Sequence, residues 1–347
     1  MYLKKILWAT AIIGLIVAAF FAYYVYKVML KPNTAFNNEA AYVYIPSDAT
    51  YEDVRKQLEP LLDDIASFDI LAQKKQYISH IKAGKYAIKR GMSNNDIINS
   101  IRIHNLPVTV SFNNQGTLEK LAGRISKEIE ADSISLLNAM QDDAFLGEHN
   151  FNQATALGMY LPNSYEFFWN TSAIKFRNRM LKEYQRFWTE DRIQKAHNLG
   201  LSPNQVITLA SIVYEESKKP IEQPRIAGVY LNRLRIGMPL QADPTIKFAA
   251  YQLPEYKNTV IKRVLNVHKE IDSPYNTYTK LGLPPGLIAM PDLRAIDAVL
   301  NYEKHKFLYF VADASRLGYH KFAKTLTQHN KYASEYHRYL SSQGINR

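Results

Sequence analysis

The chain contains no cysteine. That excludes a disulfide framework and thiolate metal sites, and it is compatible with an oxidising compartment without requiring one. The nine histidines are scattered, and none falls into an HExxH or comparable ligand spacing, so neither a metal nor a cofactor is expected. No nucleic-acid-binding motif of a known type occurs, although the formal charge is +11; nucleic acid is not an expected partner. No acidic residue precedes Glu39, so part of that charge comes from Lys4, Lys5, Lys27 and Lys31. What is present is core-forming material. The 347 residues are 47% hydrophobic and 12% aromatic, enough to bury a core and long enough for two domains.

The run from Ile6 to Tyr26 carries no charge and can cross a bilayer. Trp8, Tyr23, Tyr24 and Tyr26 lie near its ends as interfacial anchors, and its first flank is short. The run is longer than the apolar part of a signal peptide and lacks a good small-residue cleavage pattern. A retained single-pass anchor in the plasma (inner) membrane is expected, with membrane lipid around it and the bulk of the chain on the outer, periplasmic side. A basic exported domain suits an anionic surface, either lipid headgroups or an acidic polymer.

Residues 32–40 read as a short polar linker. A strand, a turn at Pro46–Asp48 and a helix from about Tyr51 follow. The theme repeats with a strand over Lys85–Lys89, a turn at Gly91, a cap at Ser93 and a helix from Asn94. A third copy runs from Val108 through Gly116 to a helix capped by Thr117. The first two resemble the small LysM-like modules that hold glycan chains, and a generic α+β spacer fits the pattern equally. A boundary near Leu106–Pro107 gives an α+β protein in three parts: a cytoplasmic amino terminus and transmembrane anchor over 1–31, a LysM-like module over 32–107, and a mixed α+β domain over 108–347. In the last part the pattern predicts a long helix from Ala173 to Leu199 ended by Gly200, and another over Pro224–Arg235 ended by Gly237. Beyond Gly237 the chain turns rich in proline, glycine, asparagine and tyrosine, with a strand over Phe307–Val311. Such loops commonly build a cleft, where Tyr275, Tyr278 and Tyr309 would offer flat apolar faces with polar tips.

Between these helices lies the stretch SPNQVITLASIVYEESKK, from Ser202 to Lys219. Ser202, Pro203 and Gln205 form a helix start, and Pro220 is the expected stop. Val206, Leu209, Ala210 and Val213 recur at the spacing of a buried stripe. At about 100° per residue, Glu215 falls roughly 170° from the stripe and should meet water, whereas Glu216 falls roughly 70° away, at its edge. Partial desolvation and the carboxy-terminal end of the helix dipole would both raise the Glu216 pKa, as a general acid near neutral pH requires. The helix taken alone also fits a boundary glutamate paired with Lys218 or Lys219.

Six motifs then occur in order: ASIVYEES (Ala210–Ser217), VYLNRL (Val229–Leu234), GMPLQADPT (Gly237–Thr245), SPYNTY (Ser273–Tyr278), GLPPGLIAMP (Gly282–Pro291) and LYFVAD (Leu308–Asp313). Together they resemble the YceG-like family of endolytic murein transglycosylases, over residues 108 to 340. The resemblance implies a lytic transglycosylase acting on peptidoglycan glycan strands, terminating or trimming nascent ones. It would cut between N-acetylmuramic acid and N-acetylglucosamine without water and leave a 1,6-anhydro end. The second glutamate of the family pattern falls on Glu216; Tyr214 and Glu215 stand where the family carries glutamate and lysine. Motif position makes Ser217, Asn232, Gln241, Asp243, Thr245, Ser273, Tyr275, Asn276 and Tyr278 the expected substrate-binding residues. Asp243 is the best candidate for a second carboxylate nearby, although its neighbour Pro244 also suits a turn. Arg233 is expected to hold loops together. Cell-wall synthases (penicillin-binding proteins) are the protein partners the resemblance implies. Two other classes stay open: a hydrolytic muramidase, which needs a water position and a second carboxylate, and a non-catalytic wall-binding protein.

Overall fold

The computed structural model describes residues 2–257, 259–261 and 263–343; Met1 and residues 344–347, the outer ends of the expected anchor and carboxy-terminal domain, lie outside the described residues. The chain divides into two compact units. The first comprises residues 1–110 with 127–131 and 165–172, and the second comprises 111–126, 132–164 and 173–347.

In the first unit, α1 (Tyr2–Val25) carries no charge beyond Lys4 and Lys5 and buries nothing. It runs into one π-helical turn, Tyr26–Leu30. Within the stretch Tyr2–Leu30 an 18-residue window reaches a mean hydropathy of 2.3, and this is the one helix among the described residues long and apolar enough to cross a membrane, consistent with a single-pass anchor. The π turn inserts Val28 into the core of the unit. The expected linker after it is no linker. Asn33 is buried; its main-chain N–H donates to the Met92 carbonyl at 2.9 Å. Its side-chain amide donates to the Asp64 carbonyl and to Asn94 Oδ1, and its Oδ1 accepts from the Asp64 N–H at 2.8 Å. Ala35 donates to the Leu61 carbonyl at 2.9 Å. A polar stretch was expected to seek water, but here its polar groups satisfy main-chain groups that two neighbouring segments leave over.

Strand β1 (Ala40–Ile45) pairs antiparallel with β2 (Gly84–Lys89), Tyr44 facing Lys85. Alternation turns Val43, Ile45, Tyr86 and Ile88 inward. Three helices cover that face: α2 (Tyr51–Leu58), α3 (Ile65–Lys74) and α4 (Asn94–Ile103). Capping boxes from Thr50 with Asp53 and from Ser93 with Asp96 start α2 and α4. Strands β3 (Pro107–Phe112) and β4 (Asn163–Phe168) pair with each other, and each contributes residues to both units. The returning pieces are held within the first unit. Glu130 accepts from the Ser47 N–H and hydroxyl at 2.6 Å each, and Trp169 meets the Tyr44 ring edge-on at 5.3 Å.

The second unit is mainly helical. It begins with α5 (Leu118–Ile125), α6 (Ser133–Met140) and α7 (Asp143–Glu148), capped by Thr117, Asp132 and Asp142. The single helix expected from Ala173 to Leu199 is two, α8 (Ala173–Phe187) and α9 (Glu190–Asn198). Thr189 breaks it, its hydroxyl capping the Arg192 N–H so that a new helix starts at that point. Then come α10 (Pro203–Glu216), α11 (Gln223–Arg235), α12 (Asp243–Tyr251), α13 (Asn266–Lys269) and α14 (Leu293–Leu300). The antiparallel pair β5 (Tyr309–Ala312) and β6 (His320–Ala323) and the helix α15 (Leu326–Ser342) close the unit. Helix α10 packs against α9, α11, α12 and α14, so every residue from Val206 to Val213 is buried rather than a stripe alone. It stops at Glu216, short of Pro220, because Ser217 turns extended at φ −143°. Close approach shapes the surrounding loops: a side chain at Gly286 would overlap the Ala154 carbonyl, and one at Gly228 the carbonyl of Glu303.

Candidate active site

The site is assembled around the last residue of α10. Ser202 and Gln205 close a capping box with Pro203 at the first helical position, which fixes where the helix starts and therefore where its last turn faces. That turn delivers Glu216, partly buried. From the next helix, the buried Tyr230 donates its hydroxyl to Glu216 Oε1 at 2.7 Å. Burial pushes the Glu216 carboxyl up to about 7, and the Asp243 charge adds to the rise; the Tyr230 hydrogen bond, then Arg233 and Lys247, oppose it. Burial also holds the Tyr230 hydroxyl well above its ordinary value, so it stays a donor at any working pH.

Glu216 opens on a pocket of about 350 Å³, lined also by Tyr230, Arg233, Gln241, Asp243 and Tyr278, by residues of β5 and β6, and by Leu326 and His329 of α15. Asp243 is the first residue of α12, exposed, and its Oδ1 accepts the Tyr278 hydroxyl at 2.6 Å. Gln241 holds a left-handed main chain, φ 49°, steadied by its N–H on the Thr277 carbonyl at 2.9 Å. Arg233 lines the pocket and also braces it, donating to the Leu308 carbonyl at 2.6 Å and the Leu240 carbonyl at 2.7 Å.

Of the residues singled out from the sequence, Glu216, Arg233, Gln241, Asp243, Tyr278 and Tyr309 meet here. The other six lie outside the lining, and the side-chain polar groups of Ser217, Asn232, Thr245, Ser273 and Asn276 bond to the protein itself. Ser217 donates to Glu222 Oε2 at 3.2 Å. Asn232 ties the carbonyls of His305 and Phe307. Thr245 and Thr277 share a buried hydroxyl pair at 2.8 Å. The Ser273 hydroxyl accepts the Tyr275 N–H at 3.2 Å. Asn276 donates to the carbonyls of Lys269 and Ile271 and accepts from the Tyr278 N–H, thereby shaping the loop that carries Tyr278. Tyr275 is buried against Phe248, ring centroids 4.6 Å apart. Among the described residues no group of three or more His, Asp or Glu converges as a metal site. Sequence reasoning missed Tyr230: it sits one residue into a motif already noted, but only the crossing of α10 and α11 brings it to the carboxyl.

The sequence profile of the YceG-like family matches residues 43–335. The chain belongs to the YceG-like family. It is 28% identical over 337 residues to the endolytic murein transglycosylase of Bacillus subtilis, covering 89% of this chain and 88% of that one. It is 26% identical to the endolytic murein transglycosylase of Streptococcus pneumoniae over 91% of this chain, spanning 62% of the longer relative. A crystal structure of a YceG-like protein from Listeria monocytogenes aligns with a TM-score of 0.56 at 26% identity, covering 85% of this chain and 99% of that one.

In this YceG-like protein the pair Tyr214–Glu215 has a structural use. The Tyr214 hydroxyl donates to Asn114 Oδ1 at 2.8 Å, and Asn114 in turn donates to the Met290 carbonyl. Glu215 is exposed and pairs with Lys218 at 2.8 Å, whose ammonium sits 3.5 Å over the Tyr214 ring. The last turn of α10 is thus braced from outside while Glu216 faces the pocket.

Proposed function

We propose that this protein is a lytic transglycosylase of peptidoglycan in which Glu216 acts as general acid and then as general base. Its relatives carry the reaction class, and one observation carries the assignment of the residue: a carboxyl pushed up to about 7, at the wall of a pocket, with only one of its oxygens committed. Tyr230 occupies Oε1, which leaves Oε2 as the oxygen to carry the proton. That proton passes to the glycosidic oxygen as the bond from the muramyl C1 breaks and positive charge spreads over the ring. The carboxylate so formed is stabilised by the same Tyr230 hydrogen bond and by Arg233 and Lys247. It takes the proton of the muramyl 6-hydroxyl as O6 closes on C1. The outcome is a 1,6-anhydro end, no water consumed, and Glu216 again protonated. One carboxyl serves both steps, unlike the usual glycosidase pair. With the apolar helix as a membrane anchor, the second unit works outside the cytoplasm on strands within reach of the membrane surface.

Mass analysis of glycan strands digested by the purified full-length protein tests this reading. Anhydromuropeptide ends are expected; reducing ends would show a hydrolase, with Asp243 the first residue to examine as its second carboxylate.

A further inference from the structure

A second carboxylate lies close behind the pocket and plays no part in the chemistry above. Glu222 is buried at the start of α11, with 8% of its side chain exposed, and it grips the first residue of β6 twice: His320 donates its main-chain N–H to Oε1 at 2.8 Å, and its Nδ1 lies 3.1 Å from Oε2. The Ser217 hydroxyl, one residue past Glu216, donates to the same Oε2. Three donors therefore converge on one carboxylate, which is what a buried charge demands. The His320 ring is packed edge-on against Phe310 at 5.3 Å, and it lines the pocket that Glu216 opens on.

A carboxylate can only accept, so the ring nitrogen facing it is the protonated one. In the neutral ring Nε2 is then a bare acceptor, and among the described residues nothing bonds to it. A ring needed only for packing against Phe310 would not require a buried carboxylate to set its tautomer. An acceptor nitrogen backed by a negative charge suits a hydroxyl donor and disfavours an anionic group. We propose that His320 contacts the glycan in the Glu216 pocket, Nε2 accepting a hydrogen bond from a sugar hydroxyl, with Glu222 as the positioning residue that holds the ring through Nδ1. This rests on the transglycosylase reading for the nature of the ligand.

The test uses full-length protein in detergent and purified, uncross-linked glycan strands. His320→Phe keeps the aromatic packing, and its main-chain N–H can still bond Glu222. In a Glu216→Gln background, where strands bind without being cut, adding His320→Phe is expected to weaken strand binding about tenfold or more, the weight of one hydrogen bond lost at a desolvated site. With Glu216 intact, the same substitution should raise KM while the thermal midpoint holds. Unchanged affinity in a folded variant overturns the proposal. Should His320→Phe lower the midpoint, the ring-nitrogen NMR signals of His320 in the Glu216→Gln protein decide: Nε2 should shift when strands are added, and an unmoved signal overturns the contact. If Glu216→Gln still produces anhydro ends, the assignment of the acid fails, and the binding comparison still judges His320 by itself.

Discussion

Two adjacent glutamates close α10, and helix geometry alone assigns them opposite fates. Glu215 meets water and Lys218; Glu216 meets Tyr230 and the pocket. Glu216→Gln keeps the shape but cannot deliver a proton, so cleavage should fall at least the ~10²–10⁴-fold typical of general acid catalysis. Glu215→Gln should leave the rate within about twofold, since it removes only an exposed ion pair. The same raised pKa sets a stability signature. A carboxyl at about 7 in the fold and near 4.3 when unfolded binds more protons folded than unfolded between those values. Wild-type stability therefore declines as pH rises through that window, and the decline should be missing in Glu216→Gln. Its thermal midpoint should exceed that of the wild type at pH 8, and the gap should vanish at pH 4. An equal gap at both values would mean that the residue is not desolvated. Tyr230 gives a second pH handle. Its hydrogen bond favours the carboxylate, so Tyr230→Phe should move the alkaline limb of kcat/KM to higher pH, measured on glycan strands across pH 5 to 9. A limb that stays in place would separate Tyr230 from the acid.

Elements differ in how visibly the chain announces them. Helix starts at Ser93, Thr117 and Ser202 were legible because a cap and its partner lie within one turn. The opposite settings of Glu215 and Glu216 were legible for a similar reason: the apolar positions of a single helix locate both glutamates. The break between α8 and α9 was not, since Thr189 looks like one more residue of a periodic run until its hydroxyl is seen to cap Arg192. Strand β6 and its pairing with β5 depend on partners with no local signature, and so do Tyr230 at the carboxyl and His320 on Glu222. The segment after the anchor misled for another reason, because composition cannot tell a polar group facing water from one satisfying buried main chain. Asn33 makes that difference measurable. Replacing it with alanine leaves the Asp64 N–H and carbonyl and the Asn94 side chain short of partners. The expected cost is roughly 2–4 kcal/mol, two or three hydrogen bonds at part-buried groups. The thermal midpoint of Asn33→Ala in detergent should fall by several degrees, while the protein still sediments with membranes, because α1 is untouched. An unchanged midpoint would return this segment to the role of a loose tether.

At the scale of the whole molecule, the division into units does not follow one cut in the sequence. The pocket residues, from Glu216 to His329, all belong to the second unit, while residues 127–131 and 165–172 are sent back into the first. There Glu130 holds Ser47, Trp169 meets Tyr44 edge-on and Asn105 donates to Asn170 at 3.1 Å. A chain that starts at Val108 keeps the whole Glu216 pocket yet strips these returning pieces of their partners. Glu130 loses both of its donors from Ser47 and Trp169 loses an aromatic contact, so the shortened chain should fold with a thermal midpoint several degrees below that of the full chain. Cleavage of purified glycan strands should persist at a reduced rate, still yielding anhydro ends and still abolished by Glu216→Gln, because every group assigned to the proton transfers is retained. Two results would correct this account. An unchanged midpoint would show that the returning segments contribute nothing to stability, and complete inactivity in a well-folded shortened chain would make the first unit part of the catalytic machinery itself.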